Sequence, residues 1–235
     1  MMTTMDTLLP ASSSRRSLLA GIGAGGALLA LPACNSLGGF GLTDAIRRLL
    51  TLSSQRAFGR MLESNGFWDQ QVASLGLGNV LGSRGNVLGN ILTSSLFKSR
   101  LDRAFGDIAY RGARRAAPVV ADAVRVIGFQ NAVDLVRGGP TAATGFLRDQ
   151  MGTRLVEAMV PELGDAMRVA NEPLVAQALA ALTGIDAAGV ATRFADSIDN
   201  TIWSEIGNEE SAIRANPSST NDPAIMAIFG AARAI

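Results

Sequence analysis

Between positions 186 and 216 the apolar residues Val190, Phe194, Ile198, Ile202, Ile206 and Ile213 recur four or seven positions apart. Four and seven are helical intervals, so this stripe predicts one long helix with a continuous apolar face, capped by Asp186. A strand would need an apolar residue at every second position, and such alternation is nearly absent along the chain. The same spacing recurs upstream. Ile46, Leu49, Leu50, Phe58, Met61 and Leu62 predict a helix with Thr43 as N-cap, Asp44 in its first turn and Asn65-Gly66 as its end. Phe67 and Trp68 would then fold back onto the core. Residues 92–115 predict a helix with Leu96, Phe97, Leu101, Phe105 and Ile108 inward. Pro118 is expected to open a separate helix carrying Val119, Val120, Val124 and Ile127, because proline fits the first helical turn.

A short helix at 131–136 is expected to stop at Gly138-Gly139. Pro140 then opens a long segment with Phe146, Leu147, Met151, Leu155 and Met159 inward. Pro161, Pro173 and Thr183-Gly184 punctuate further helices. After a loop at 216–221, Asp222-Pro223 starts a short terminal helix. The expected fold is all-α, an irregular multi-helix bundle. Residues 76–90 carry a repeat, Gly78-Asn79-Val80-Leu81-Gly82 and Gly85-Asn86-Val87-Leu88-Gly89. It fits either a helix with a glycine stripe for close packing or a glycine-rich loop entering a helix near Asn86.

Residues 1–33 read as a cleaved signal peptide. Ser14-Arg15-Arg16-Ser17-Leu18-Leu19 resembles the twin-arginine export pattern, with Arg15 and Arg16 as its signature; an ordinary secretory signal with two incidental arginines is the alternative. The mildly apolar run from Leu18 to Leu31 is too short to span a bilayer. It ends in Leu31-Pro32-Ala33-Cys34, which resembles a bacterial lipobox and makes Cys34 the expected lipidation point. Cys34 is the chain's one cysteine, and it stands at the position a lipobox requires. The resemblance implies a periplasmic protein anchored to the outer membrane, because Asn35 replaces the Asp typical of inner-membrane retention. The chain then divides into the signal peptide 1–33, a lipidated flexible tether 34–41, and a single all-helical domain 42–235. No later run is apolar enough to cross a membrane.

Composition narrows the chemistry. There is no histidine, so imidazole bases, Ser-His-Asp relays and His-ligated metals are excluded. One cysteine cannot form an intrachain disulfide or a cysteine-rich metal site. No cofactor or metal motif is visible, and the calcium-loop pattern is absent. A formal net charge of +1 gives no reason to expect nucleic acid as a partner. Catalysis would fall to carboxylates, hydroxyls, Tyr110 or Lys98. Glu205 with Glu209, and Asp196 with Asp199, share helix faces and could in principle act as acid and base. Solvation is the commoner role of such pairs. Arg111, Arg114 and Arg115 form a local basic patch, and Arg148 lies further on. They could hold a carboxylate or phosphate bidentately, or simply pair with nearby Asp and Glu on the helix surface. Trp203, within the isoleucine stripe, suits either the core or a ligand platform.

Several segments also resemble the bacterial domain-of-unknown-function family 4197 over about residues 42–230. They are Arg111-Gly112-Ala113-Arg114-Arg115-Ala116-Ala117-Pro118, then Gly139-Pro140 with Ala143-Thr144, Phe146 and Arg148. The late run Glu209-Glu210-Ser211-Ala212-Ile213-Arg214-Ala215-Asn216-Pro217 and the terminal Phe229-Gly230 complete them. The chain departs from the family at 75–90, where the glycine repeat stands. The resemblance implies an all-α envelope protein, often lipidated or secreted, and supplies no activity. It marks the segment holding Glu209 and Arg214, which are read as an intrachain support, Glu209 also as a binding candidate. The resulting expectation is a non-enzymatic module using Arg111, Arg148, Trp203 and Glu209. It would bind a hydrophobic or amphiphilic ligand, or another envelope protein. The alternative is a carboxylate-dependent periplasmic hydrolase.

Overall fold

A computed structural model describes residues 41–63, 66–75, 95–169 and 187–232. The signal region with Arg15, Arg16 and Cys34, the glycine repeat, Asn65, Pro173, Thr183-Gly184 and Asp186 lie outside the described residues, as do the side chains of Leu96 and Phe97. The described elements are all helical: α1 (Leu42–Met61), α2 (Phe67–Leu75), α3 (Ser95–Val126), α4 (Ala132–Arg137), α5 (Ala142–Met151), α6 (Arg154–Val169), α7 (Ala187–Ala215), a 3-10 turn (Pro217–Thr220) and α8 (Pro223–Ala232).

The isoleucine stripe makes α7 the spine. Phe194, Ile198, Ile202, Ile206 and Ile213 are fully buried, and α7 packs against α1, α3, α5 and α6. On α3 the inward face is Leu101, Phe105, Ile108, Ala113, Ala116 and Val120. Phe105 meets Phe194 edge to face at 5.4 Å, the geometry aromatic quadrupoles favour. α1 runs antiparallel to α7: Arg60 reaches Glu205 while Arg56, one turn earlier in α1, lies beside Glu209, one turn later in α7. Trp68 does fold back and is buried, on a helix, α2, that the sequence pattern did not announce.

Four expectations are corrected. Pro118 lies inside α3 rather than opening a new helix, and Pro161 lies inside α6 rather than ending one. Each proline removes one intrahelical bond, to the carbonyl of Arg114 or Glu157. Both of those residues are exposed, so water can take the bond, while the apolar faces on either side keep the helices continuous. The long segment after Pro140 is broken instead at Gly152, whose φ of +54° puts it in a region that favours glycine. Leu147, Met151, Leu155 and Met159 are buried across the break, with Phe146 half-buried. Finally, α1 begins one residue before Thr43, with Gly41 as an N-cap that supplies no side-chain bond, and it ends at Met61, short of Asn65-Gly66. Asp222 performs as expected: its Oδ1 accepts the N–H groups of Ala224 and Ile225 at 2.9 and 3.1 Å, with Pro223 as the first helical residue.

Candidate functional site: two polar grooves

Near its C-terminal end, α7 carries a buried ion pair. Glu210 is fully buried. Its Oε1 accepts the N–H of Ala143 (3.0 Å) and the Arg214 Nε–H (2.7 Å), and its Oε2 accepts the N–H of Thr144 (2.6 Å). The carboxylate therefore caps the positive end of α5 from another helix. Arg214 donates onward to the carbonyls of Leu135 (2.8 Å) and Val136 (3.0 Å) in α4, and its guanidinium lies 4.8 Å from the Phe229 ring centroid. One Glu-Arg pair thus satisfies orphan groups of two short helices and braces α8. With every oxygen committed, it supports the fold and offers nothing to a ligand.

The support expected between Glu209 and Arg214 is this Glu210–Arg214 pair instead. Adjacent residues differ by about 100° around a helix, so Glu209 points elsewhere. Glu209 and Glu205 both bind Arg60, at 2.6 Å each, and Arg56 lies 4.0 Å from Glu209. They are neutralised by α1 and form a rim of ion pairs.

Two of the sequence candidates meet in a groove of about 310 Å3 between α5 and α7. Arg148 donates to Asp199 at 3.0 Å and to the Asn200 side chain at 2.5 Å. The Trp203 indole N–H donates to the other Asp199 oxygen at 2.8 Å. Trp203 is only 4% exposed, so it forms a wall and not a stacking platform. Burial pushes the Asp199 carboxyl above its ordinary value, against the pull of Arg148 and the indole bond. Gly207 lets the start of α5 approach: a Cβ there would sit 3.2 Å from Thr141. Their spacing puts Asp196 and Asp199 on a shared helix face. Asp196 is exposed, and it is the burial of Asp199 that sets the two apart.

The larger groove, of about 700 Å3, lies between α3 and α6. Positions 107, 111, 114, 115 and 118 fall on one face of α3, as steps of three and four require. The adjoining buried face carries Gly112, where a Cβ would come within 2.9 Å of Leu163 and 3.4 Å of Ile198. This close approach brings α6 in beside the arginines, and Glu162, next to the buried Leu163, becomes the facing wall. Arg111, Arg114 and Arg115 are exposed, and none makes an ion pair or hydrogen bond among the described residues. Of the four arginines expected either to hold an anion or to pair on the helix surface, Arg148 pairs, with Asp199, while these three show no such pair among the described residues. Tyr110, 36% exposed, borders them.

A further carboxylate pair lies between α2 and α3. Asp102 is 8% exposed with one oxygen unpartnered. Burial raises the values of both Asp102 and Asp69; for Asp102 Lys98 opposes the rise and Asp69 adds to it. No group of three or more potential metal-ligating side chains occurs among the described residues. No helix among them is long and apolar enough to cross a membrane.

Among known proteins, no curated protein and no solved structure matches the chain. A family model described as a protein of unknown function, DUF4197, matches residues 36–230. That span takes in every helix from α1 to α7 and most of α8, both grooves and the Glu210–Arg214 pair, and the chain belongs to this DUF4197 family.

Proposed function

We propose that this chain is a non-enzymatic binding module, held at the periplasmic face of the outer membrane by lipidated Cys34, which takes an anionic ligand in the α3/α6 groove. The observation that carries the binding reading is the row Arg111, Arg114 and Arg115: three guanidinium groups open to one groove with no carboxylate bound to any of them. A guanidinium offers a rigid fork of donors matched to carboxylate and phosphate oxygens. The groove's size lies in the range of small-molecule sites, and its charged lining selects a polar ligand over a greasy one. The anchor rests on sequence alone. Only seven residues separate Cys34 from Leu42, so an extended tether would hold the domain within about 28 Å of the bilayer.

Binding is tested by titrating inorganic phosphate into the purified full chain by calorimetry. Arg111→Ala and Arg114→Ala are each expected to weaken the complex by about tenfold, in line with the loss of a charge-assisted hydrogen bond. Affinity unchanged in both variants refutes the groove. The anchor is tested by fractionation: Cys34→Ala should move the protein from membranes to the soluble fraction and abolish acyl labelling.

The carboxylate-hydrolase alternative is favoured by one observation, the buried Asp102 with an unpartnered oxygen, which burial and neighbouring Asp69 push above the ordinary carboxylate value. A hydrolytic activity lost in Asp102→Asn and retained in Arg111→Ala would establish it.

A further inference from the structure

The groove holds more charge than an anion alone would need. Asp107 lies at the α3 wall, one turn before Arg111, and Glu162 forms the α6 wall. An acid four residues before an arginine is the favoured order for a helical ion pair. Yet neither Asp107 nor Glu162 pairs with Arg111, Arg114 or Arg115. Five charged side chains thus share one groove, three positive and two negative, all without a salt bridge to one another. A simple anion there would meet the guanidinium groups and be repelled by both carboxylates. A ligand that also carries an ammonium group would satisfy the two sets at once.

We propose that the α3/α6 groove selects small zwitterions, in which a phosphate or carboxylate binds the arginines while an ammonium group turns toward Asp107 and Glu162. Asp107 and Arg111 are offset by about 6 Å of helix rise, so a ligand that reaches both must carry its acid and its amine on one short linker. Phosphoethanolamine head groups and amino acids share this chemistry. The inference rests on the anion-binding reading above and deepens it.

The test compares matched probes on the full chain: phosphoethanolamine against ethyl phosphate, and γ-aminobutyrate against butyrate. The amine-bearing member of at least one pair is expected to bind at least tenfold tighter than its amine-free partner. The double variant Asp107→Asn, Glu162→Gln should bring that pair within twofold while leaving affinity for the amine-free anion equal or higher. Preference for phosphoethanolamine assigns phosphate head groups as the ligand, and preference for γ-aminobutyrate assigns amino acids; either supports the zwitterion site. Phosphate binding that depends on Arg111 but shows no gain from the amine overturns this inference and leaves anion binding standing. Absence of all binding, or binding that neither Arg111→Ala nor Arg114→Ala weakens, overturns both.

Discussion

Removing the Glu210 carboxylate would leave three buried donors without an acceptor: the N–H groups of Ala143 and Thr144 and the Arg214 Nε–H. Breaking a buried pair from one side costs about 3–5 kcal/mol, so Glu210→Ala should lower the urea midpoint severely. Glu209→Ala, on a rim shared with an exposed arginine, should cost under about 1 kcal/mol. Asp222 and Asp102 respond to pH in opposite directions. For Asp222, burial pushes the value up but is outweighed by the α8 backbone N–H groups and Arg48, so the net value is lowered. Its stabilisation is therefore present above the ordinary carboxylate range and is lost as pH falls through the depressed value. Asp222→Ala should cost about 1 kcal/mol at neutral pH, while Asp222→Asn retains most of the cap. Asp102 is raised chiefly by burial, so its stability is present in acid and lost as pH rises through the raised value. Asp102→Asn should raise Tm at neutral pH, with the gain shrinking toward pH 4 (the ordinary Asp range). A sequence could hardly separate Glu209 from Glu210, since both follow Glu205 on the same helix. Which of the two faces inward depends on where α5 begins, and only packing settles that.

The two internal prolines make α3 and α6 less stable than their length allows. Proline in a helix interior costs about 3 kcal/mol relative to alanine, through one lost bond and a clash with the preceding turn. Pro118→Ala and Pro161→Ala should each stabilise the protein by about 1–3 kcal/mol, read as a shift in the denaturation midpoint. Little change would mean that a kink already relieves the clash. The prolines also show which elements were legible. The stripes on α1, α3 and α7 gave helix type and inward face from spacing alone, because burial on one face enforces the period. Spacing alone predicts that a proline begins a helix, because the first turn is its cheapest place. α3 runs through it since Ala113, Ala116 and Val120 are buried on the far side and hold the helix together. The arginine row was legible as a row on α3. Its groove was not, because the groove needs the Gly112–Leu163 contact that brings Glu162 alongside.

At the scale of the whole molecule, charge and burial are divided by region. α7 and its neighbours hold a buried apolar core, the α1/α7 rim carries paired charges, and the α3/α6 groove carries charges unpaired among the described residues. Ligand binding there should stabilise the native state in proportion to the logarithm of ligand concentration and weaken with added salt, both readable in a thermal melt. The Glu210–Arg214 brace has a consequence for the order of events in time. Its bonds join residues 66, 67, 78 and 79 positions apart. Contacts of such separation wait on loop closure and fall late on a folding pathway. Glu210→Ala should then leave the refolding limb of a chevron nearly unchanged and accelerate unfolding by almost the full loss of stability. The brace would thus act as a latch on the finished molecule, setting how long a folded copy persists and not how quickly it forms.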